Sequence, residues 1–108
     1  MPTPIKYFFE IRNGRSLSPE ALIDGLKQKY GSVTLSSVPL SQLVYDNEIV
    51  SEKVFAIQKA MREGSKMPPI VVDHDSEPGF YRVLDGNHRA AACHREGLSD
   101  IEAYVPGR

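Results

Sequence analysis

The stretch that decides the fold is YRVLDGNHRAAA, residues 81–92. Its first residues are those of a short strand, and the DGN sequence at 85–87 is typical of a tight turn. The alanine-rich run from His88 to about Glu96 predicts a helix that stops at Gly97. Because a helix start presents unpaired backbone N–H groups and the positive end of the helix dipole, this strand–turn–helix junction predicts an anion-binding site.

Four residues at the junction are candidates for holding phosphate: Gly86, Asn87, His88 and Arg89. Gly86 tolerates a positive φ and lets the backbone approach a ligand closely. Arg89 can bind phosphate oxygens through two N–H groups, and His88 can donate a further hydrogen bond. A purely structural interpretation stays open beside this one. In it, Asp85 or Asn87 caps the helix and Arg89 pairs with a surface carboxylate.

The flanking sequence predicts a single mixed α/β domain that spans residues 1–108. Alternation and short apolar runs predict strands at residues 5–12, 33–38, 70–73, 80–84 and 101–105. One helix is predicted at 19–30, with Ser18 as N-cap and Gly31 as the stop. Another runs to about Gly64 on the apolar stripe Val50, Val54, Ile57 and Met61. With a helical turn at 39–43, the order β-α-β-turn-α-β-β-α-β predicts an α+β fold with one mixed sheet.

Composition limits the functions open to the chain. The 108 residues carry 13 Lys and Arg against 14 Asp and Glu, so the formal net charge is -1. Because contacts from basic residues to phosphate supply most of the affinity for nucleic acid, this balance disfavours DNA binding. No apolar run approaches the roughly 20 residues that span a bilayer, and the N-terminus lacks a signal-peptide layout, so no membrane association is expected. The single cysteine, Cys93, excludes an internal disulfide and favours a reducing, cytoplasmic compartment.

Three segments, in this order and separation, resemble the ParB/sulfiredoxin superfamily. They are VPLSQL at 38–43, PIVV at 69–72 and YRVLDGNHR at 81–89. The resemblance covers about residues 33–106, and it leaves residues 1–32 as an N-terminal extension of one strand and one helix.

The resemblance implies a nucleotide-binding fold in which the Gly-x-x-Arg turn and the following helix start hold phosphates, often with Mg²⁺. The expected ligand is a nucleoside di- or triphosphate such as ATP, ADP or CTP. Asp73, at the end of a predicted strand, and Asp85 are candidates for binding Mg²⁺ or supporting its ligands, and no other metal site is predicted. The alternative for Asp73 is that it caps the turn after the strand. By position, the phosphate contacts would be Gly86, Asn87, His88 and Arg89.

Members of the superfamily differ in chemistry, and this chain departs from two groups of them. Sulfiredoxins carry a catalytic cysteine immediately before the His-Arg pair, where this chain has Asn87, and a carboxamide cannot act as a thiolate nucleophile. Cys93 is instead predicted to be a small buried residue. Chromosome-partitioning ParB proteins usually carry Gly-Glu-Arg-Arg at the turn and append DNA-binding and dimerisation domains, so segregation activity is not expected of this chain alone.

The Asp-Gly-x-His-Arg form is most similar to the free-serine kinases of the superfamily, which use ADP as phosphoryl donor. In those enzymes a glutamate in the loop before the long helix activates the substrate hydroxyl, and Glu48 stands at about the matching place. Since phosphoryl transfer needs positioning, charge neutralisation and a carboxylate near the nucleophile, Glu48 is the candidate catalytic residue. The alternative for Glu48 is an ordinary solvated acid at a helix start.

The sequence thus predicts a nucleotide-binding domain, with phosphoryl transfer or nucleotide hydrolysis as the chemistry it would support. Two alternatives stay open: a DNA-binding or nuclease-like ParB domain, and a non-enzymatic interaction or regulatory module. The sequence leaves open whether the chain is an enzyme and how many copies assemble.

Overall fold

Three helices and five strands make up the part of the chain that this computed structural model describes, residues 18–45 and 49–107. The helices are α1 (Pro19–Tyr30), α2 (Ser51–Arg62) and α3 (Asn87–Arg95). The strands are β1 (Val33–Pro39), β2 (Leu43–Val44), β3 (Ile70–His74), β4 (Tyr81–Asp85) and β5 (Asp100–Pro106), with a 3₁₀ turn at Leu40–Gln42. The strand predicted at residues 5–12 lies outside the described residues.

The strands form one mixed sheet in the order β1-β5-β3-β4-β2. β1 runs antiparallel to β5, β5 runs parallel to β3, and β3 runs antiparallel to β4. β2 pairs in parallel with β4 through two residues, and the sequence does not predict it because so short a strand has no periodicity to detect. The other elements predicted within the described residues are present, and the α+β fold class is confirmed.

Helices cover both faces of the sheet. Leu22 and Leu26 of α1 pack on one face, and Ala90 and Cys93 of α3 pack on the other. From outside, α2 packs the fully buried Val54 against Ala91 and Ala92 of α3. Because alanine has no side-chain atoms beyond Cβ, α3 lies close to the sheet, and this close packing fixes its N-terminus at the end of β4. No helix of the described residues is long and apolar enough to cross a membrane.

The three helices begin in different ways. Ser18 caps α1 by accepting a 3.2 Å hydrogen bond from Ala21 N–H, as the sequence predicts. α2 follows Val50 and α3 follows Gly86, and neither of these N-cap residues provides a side-chain hydrogen bond. Val50 is the N-cap of α2, and its side chain is 46% exposed. It is therefore not a member of the apolar stripe predicted for this helix. The starts of α2 and α3 therefore lack the side-chain cap that α1 has.

Asp75 stabilises the turn between β3 and β4 through hydrogen bonds to its carboxylate. Its carboxylate accepts hydrogen bonds from Glu77 N–H at 3.1 Å and from the Arg82 guanidinium at 3.0 and 3.2 Å. The Glu77 N–H and the positive charge of Arg82 hold the pKa of Asp75 below its ordinary value, although burial of the carboxyl group opposes them.

We expect this turn to make stability depend on pH in the acid range. A carboxyl group whose pKa is lowered by folding stabilises the native state above its unfolded-state pKa of about 3.9, and this contribution is lost as the pH falls through the lower folded-state pKa. The Asp75→Asn variant should lose about 1 kcal/mol at neutral pH and decline less steeply than wild type below about pH 4. Urea unfolding at a series of pH values measures this, and a difference between the two proteins that stays constant down to about pH 2 would contradict it.

Candidate functional site

The strand–turn–helix junction is built around Gly86. Its φ of 107° lies in a region that other residues rarely adopt, and it lets β4 pass directly into α3. A Cβ at this position would overlap the Ile70 side chain and would lie 3.1 Å from Arg89 Nη2. The space beside Gly86 is thus filled by the protein itself, so the missing side chain serves the packing of the junction against β3. No acidic residue occupies the first turn of α3, whose dipole is therefore not offset there by a carboxylate of its own.

Arg89 points into the junction rather than into solvent. Nη1 donates hydrogen bonds to the carbonyl oxygens of Pro68 at 2.8 Å and Pro69 at 3.0 Å, and Nη2 donates to Asp85 Oδ2 at 3.0 Å. The side chains of Arg89 and Asp85 are only 16% and 5% exposed. The carboxylate partner considered from the sequence is therefore present, but it is the buried Asp85 and not a surface acid.

These contacts leave part of the Arg89 guanidinium for a ligand. A guanidinium has five N–H groups, and the hydrogen bonds to Pro68, Pro69 and Asp85 use both of those on Nη1 and one on Nη2. Within the described part of the chain, the Nε–H and the second Nη2–H are not assigned to a protein acceptor. Arg89 therefore joins α3, β4 and the segment before β3, and in the described part of the chain two of its five N–H groups remain to bind phosphate.

His88 joins the starts of α2 and α3. Its Nε2 accepts a hydrogen bond from Val50 N–H at 3.2 Å. Because a ring nitrogen must be unprotonated to accept, this contact corresponds to a neutral imidazole whose proton is on Nδ1. Val50 is the N-cap of α2, and His88 lies in the first turn of α3. The positive ends of two helix dipoles therefore meet at one corner of the molecule.

Asp73 is not brought together with the junction residues. In the β3–β4 register Asp73 lies opposite Arg82, two residues beyond the Val71–Asp85 pair, which is about 7 Å along the sheet. Its Oδ1 accepts hydrogen bonds from the Tyr30 hydroxyl and from His74 N–H, both at 2.7 Å. The hydrogen bond to Asp73 raises the pKa of Tyr30. Asp73 thus joins the C-terminal end of α1 to the sheet through Tyr30, and it also binds the backbone N–H of His74.

Three residues singled out in the sequence remain, and the structure describes two of them, Asn87 and Cys93. Glu48 lies outside the described residues. Asn87 is 7% exposed in the first turn of α3. Cys93 is 6% exposed in the core between α3 and the sheet, and burial raises the pKa of its thiol although the Arg89 charge opposes this. The prediction that Cys93 is a small buried residue is confirmed.

Sequence reasoning missed the backbone groups that complete this corner. They are the carbonyl oxygens of Pro68 and Pro69, which bind Arg89, and the N–H of Val50, which binds His88. Backbone atoms carry no residue signature, so no pattern identifies them in advance. The proline pair at 68–69 was the local signal for the two carbonyl groups, because it excludes helix and holds the chain extended before β3.

The ParB N-terminal domain family matches residues 25–107, which is more than half of the chain. The chain belongs to this family. The match begins inside α1 and includes the whole sheet and the junction at Gly86. A curated relative of this ParB N-terminal domain is an uncharacterised protein of Methanocaldococcus jannaschii, 27% identical over 67 residues. These residues are 62% of this chain but only 23% of the length of that relative.

Solved structures with the same fold include proteins of different activities. Sulfiredoxin from Arabidopsis thaliana matches with a TM-score of 0.58 and 22% identity, over 69% of this chain and 86% of that one. A free serine kinase in complex with AMP matches with 0.60 and 19%, over 68% and 31%. The C-terminally truncated ParB from Caulobacter crescentus complexed with CTP-γ-S matches with 0.59 and 21%, over 69% and 45%. The ParB/sulfiredoxin-like fold that the sequence predicts is thereby confirmed.

Proposed function

We propose that this ParB N-terminal domain binds a nucleoside di- or triphosphate, with the phosphates at the corner where α2 and α3 begin. The observation that supports this most directly is the hydrogen bond from Val50 N–H to His88, which brings together two helix N-termini that have no side-chain cap. Helix N-termini bind anions through backbone N–H groups and the helix dipole. Two proteins of this fold were solved with nucleotides, the free serine kinase with AMP and the Caulobacter ParB with CTP-γ-S.

The charges at this corner favour a nucleotide that arrives with a divalent cation. The charge of Arg89 is paired with Asp85, and His88 is neutral in the observed hydrogen bond. Glu52 adds a negative charge in the first turn of α2. The attraction for phosphate therefore comes mainly from helix dipoles and N–H groups, which are worth about 0.3–2 kcal/mol per charge, and a polyphosphate needs further compensation.

Mg²⁺ bound to the phosphates would supply that compensation. No three described His, Cys, Asp or Glu side chains are grouped so that they could hold an ion by themselves. Asp85 Oδ2 is bonded to Arg89, and Asp73 Oδ1 accepts hydrogen bonds from Tyr30 and His74. Mg²⁺ commonly keeps several waters and binds substrate phosphates with one or two carboxylates, so this donor set fits an ion held chiefly by the nucleotide. Asp85 would then contribute indirectly, by positioning Arg89.

A charge introduced at His88 tests the phosphate corner. In His88→Glu, a carboxylate in the first turn of α3 suits the helix dipole but repels phosphate, so the domain should stay folded while nucleotide affinity falls at least tenfold (about 1.4 kcal/mol). His88→Gln is the matched control, because its side-chain oxygen can still accept from Val50 N–H, and its affinity should stay close to that of wild type. Calorimetric titrations with ATP, ADP and CTP, each with and without Mg²⁺, provide the affinities.

Two outcomes of these titrations would count against the proposal. If wild type and His88→Glu bind every nucleotide equally well, the phosphates lie elsewhere on the domain. If the wild-type domain binds none of the three nucleotides in either condition, nucleotide binding itself is contradicted.

Catalysis on the bound phosphates is a second step of this proposal. By the resemblance to free-serine kinases, Glu48 would orient or deprotonate the group that accepts the phosphoryl unit. Its support here is the position of Glu48 in the chain, two residues before Val50, whose N–H binds His88 at the proposed phosphate corner.

A further inference from the structure

The outward face of α2 carries an aromatic side chain that lies outside the hydrophobic core. Phe55 is 61% exposed, more than any other large hydrophobic residue in the described part of the chain. The opposite face of the same helix is the one that packs, with Val54 fully buried against α3. A single exposed ring is common on protein surfaces, so the groove and the charges beside Phe55 decide whether it belongs to an interaction surface.

Phe55 belongs to an exposed stripe along α2. The stripe is Glu52, Phe55, Lys59 and Arg62, at spacings of three, four and three residues, and all four side chains are exposed. A groove of about 300 Å³ runs along it, lined by Phe55, Gln58, Lys59, Arg62 and Glu63. The first four lining residues are spaced i, i+3, i+4 and i+7, which is the spacing of the hole that receives a side chain in knobs-into-holes packing of two helices.

The walls of this groove are held in place by α3. The Arg95 guanidinium carbon lies 5.7 Å from the centroid of the Phe55 ring. Glu96 accepts two hydrogen bonds from Arg62 and one from Gln58 Nε2, all at 2.8 Å. Gln58 is 8% exposed, and its Oε1 has no hydrogen-bond partner in the described part of the chain. The groove is therefore preformed, and one of its lining residues retains an unused acceptor.

We propose that α2 packs antiparallel against α2 of a second copy of this chain, about a two-fold axis that passes midway between Phe55 and Lys59 on the exposed face. This arrangement places Phe55 of each copy in the groove of the other, beside Lys59. It also places Glu52 of each copy opposite Arg62 of the second copy. The stripe has the same spacing when read in either direction, with its acid at one end and its bases at the other. It is consequently complementary to itself, as a two-fold interface requires.

The charges around the groove favour a second copy over nucleic acid. Lys59, Arg62 and Arg95 are balanced by three acids, Glu52 in the first turn of α2 and the C-cap residues Glu63 and Glu96. Nucleic acid binding needs a positive excess, which this face does not offer. α2 has 12 residues and is about 18 Å long, so one helix pair buries less than the roughly 1,200 Å² of a stable interface. The dimer should therefore be weak, with dissociation constants of the order of 10–100 μM.

Sedimentation velocity of the whole chain without nucleotide tests the dimer. Over roughly 5–500 μM, wild type should shift from monomer to dimer, and Phe55→Ser should weaken association at least tenfold. Leu35→Ser is the matched control, because Leu35 is 49% exposed on β1, and this variant should associate like wild type. The experiment contains no nucleotide, so its outcome does not depend on the function proposed above.

Charge exchange tests the antiparallel register. Glu52→Lys alone sets like charges against Arg62 of the second copy, and Arg62→Glu alone sets like charges against Glu52, so each variant should be monomeric. A mixture of the two should dimerise, since both contacts then join opposite charges. A wild-type chain that stays monomeric at about 500 μM, or a dimer that Phe55→Ser leaves intact, overturns the proposal. So does a dimer that survives Glu52→Lys. Arg62→Glu also loses its contact with Glu96, so the Phe55 and Glu52 variants decide the matter if that protein does not fold.

Discussion

Replacing Arg89 by alanine should lower the free energy of unfolding by about 3–5 kcal/mol. The guanidinium joins three parts of the fold, because it donates to Asp85 at the end of β4 and to the carbonyl oxygens of Pro68 and Pro69 before β3. With the side chain removed, the Asp85 carboxylate, 5% exposed, stays buried and loses its ion pair with Arg89. Removing one partner of a buried ion pair costs far more than the pair contributes, because the remaining charge keeps its desolvation penalty.

A double-mutant cycle separates this explanation from a loss of packing. Asp85→Ala combined with Arg89→Ala removes the stranded charge, so the double variant should be more stable than Arg89→Ala alone. Urea unfolding of the four proteins gives the coupling energy. A cost below about 1 kcal/mol for Arg89→Ala would show that the guanidinium is not a structural clamp.

The structural role of Arg89 decides which variant is suitable for testing the nucleotide site. The resemblance of the Gly-x-x-Arg turn to a phosphate-binding turn leads to the expectation that Arg89 acts through phosphate alone. Because the same side chain holds the junction together, weak nucleotide binding by Arg89→Ala would not distinguish a lost phosphate contact from a disordered corner. A change at His88 leaves the Arg89–Asp85 pair in place and is therefore the sharper probe of the ligand.

The sequence predicts the fold well where local chemistry decides it. Ser18 and Gly31 identify both ends of α1 because caps are local interactions. The DGN turn and the alanines after it locate the β4–α3 junction for the same reason. The family resemblance rests on this junction together with the segments at 38–43 and 69–72, and the match of the ParB N-terminal domain family confirms it.

The sequence did not predict which side chains far apart in the chain bind each other. Asp73 and Asp85 are both acids at the ends of predicted strands, yet one binds Tyr30 of α1 and the other binds Arg89 of α3. Their different partners follow from the register of β3 against β4 and from which helix covers which face, and neither is encoded in a short motif. Phe55 illustrates the same limit, because only the packed structure shows the groove beside it and the Arg95 side chain near its ring.

Replacing Gly86 by alanine should destabilise the domain by roughly 2–5 kcal/mol, through two separable effects. The first is the backbone, since a φ of 107° is unfavourable for an L-residue by about 1–2 kcal/mol. The second is space, because the new Cβ would overlap the side chain of Ile70, which is fully buried, so that a shift of Ile70 would disturb the core. Overpacking of a filled core adds about 1–3 kcal/mol.

Gly31→Ala isolates the first of these effects. Gly31 has a φ of 87° at the end of α1, but a Cβ there would meet nothing within 4 Å. It should therefore cost only the backbone term of about 1–2 kcal/mol. Urea unfolding of the two variants compares them directly, and the excess cost at Gly86 measures how tightly the junction is packed against β3. Equal costs at the two positions would mean that Ile70 yields, and the start of α3 would then be less rigidly placed than a preformed anion site requires.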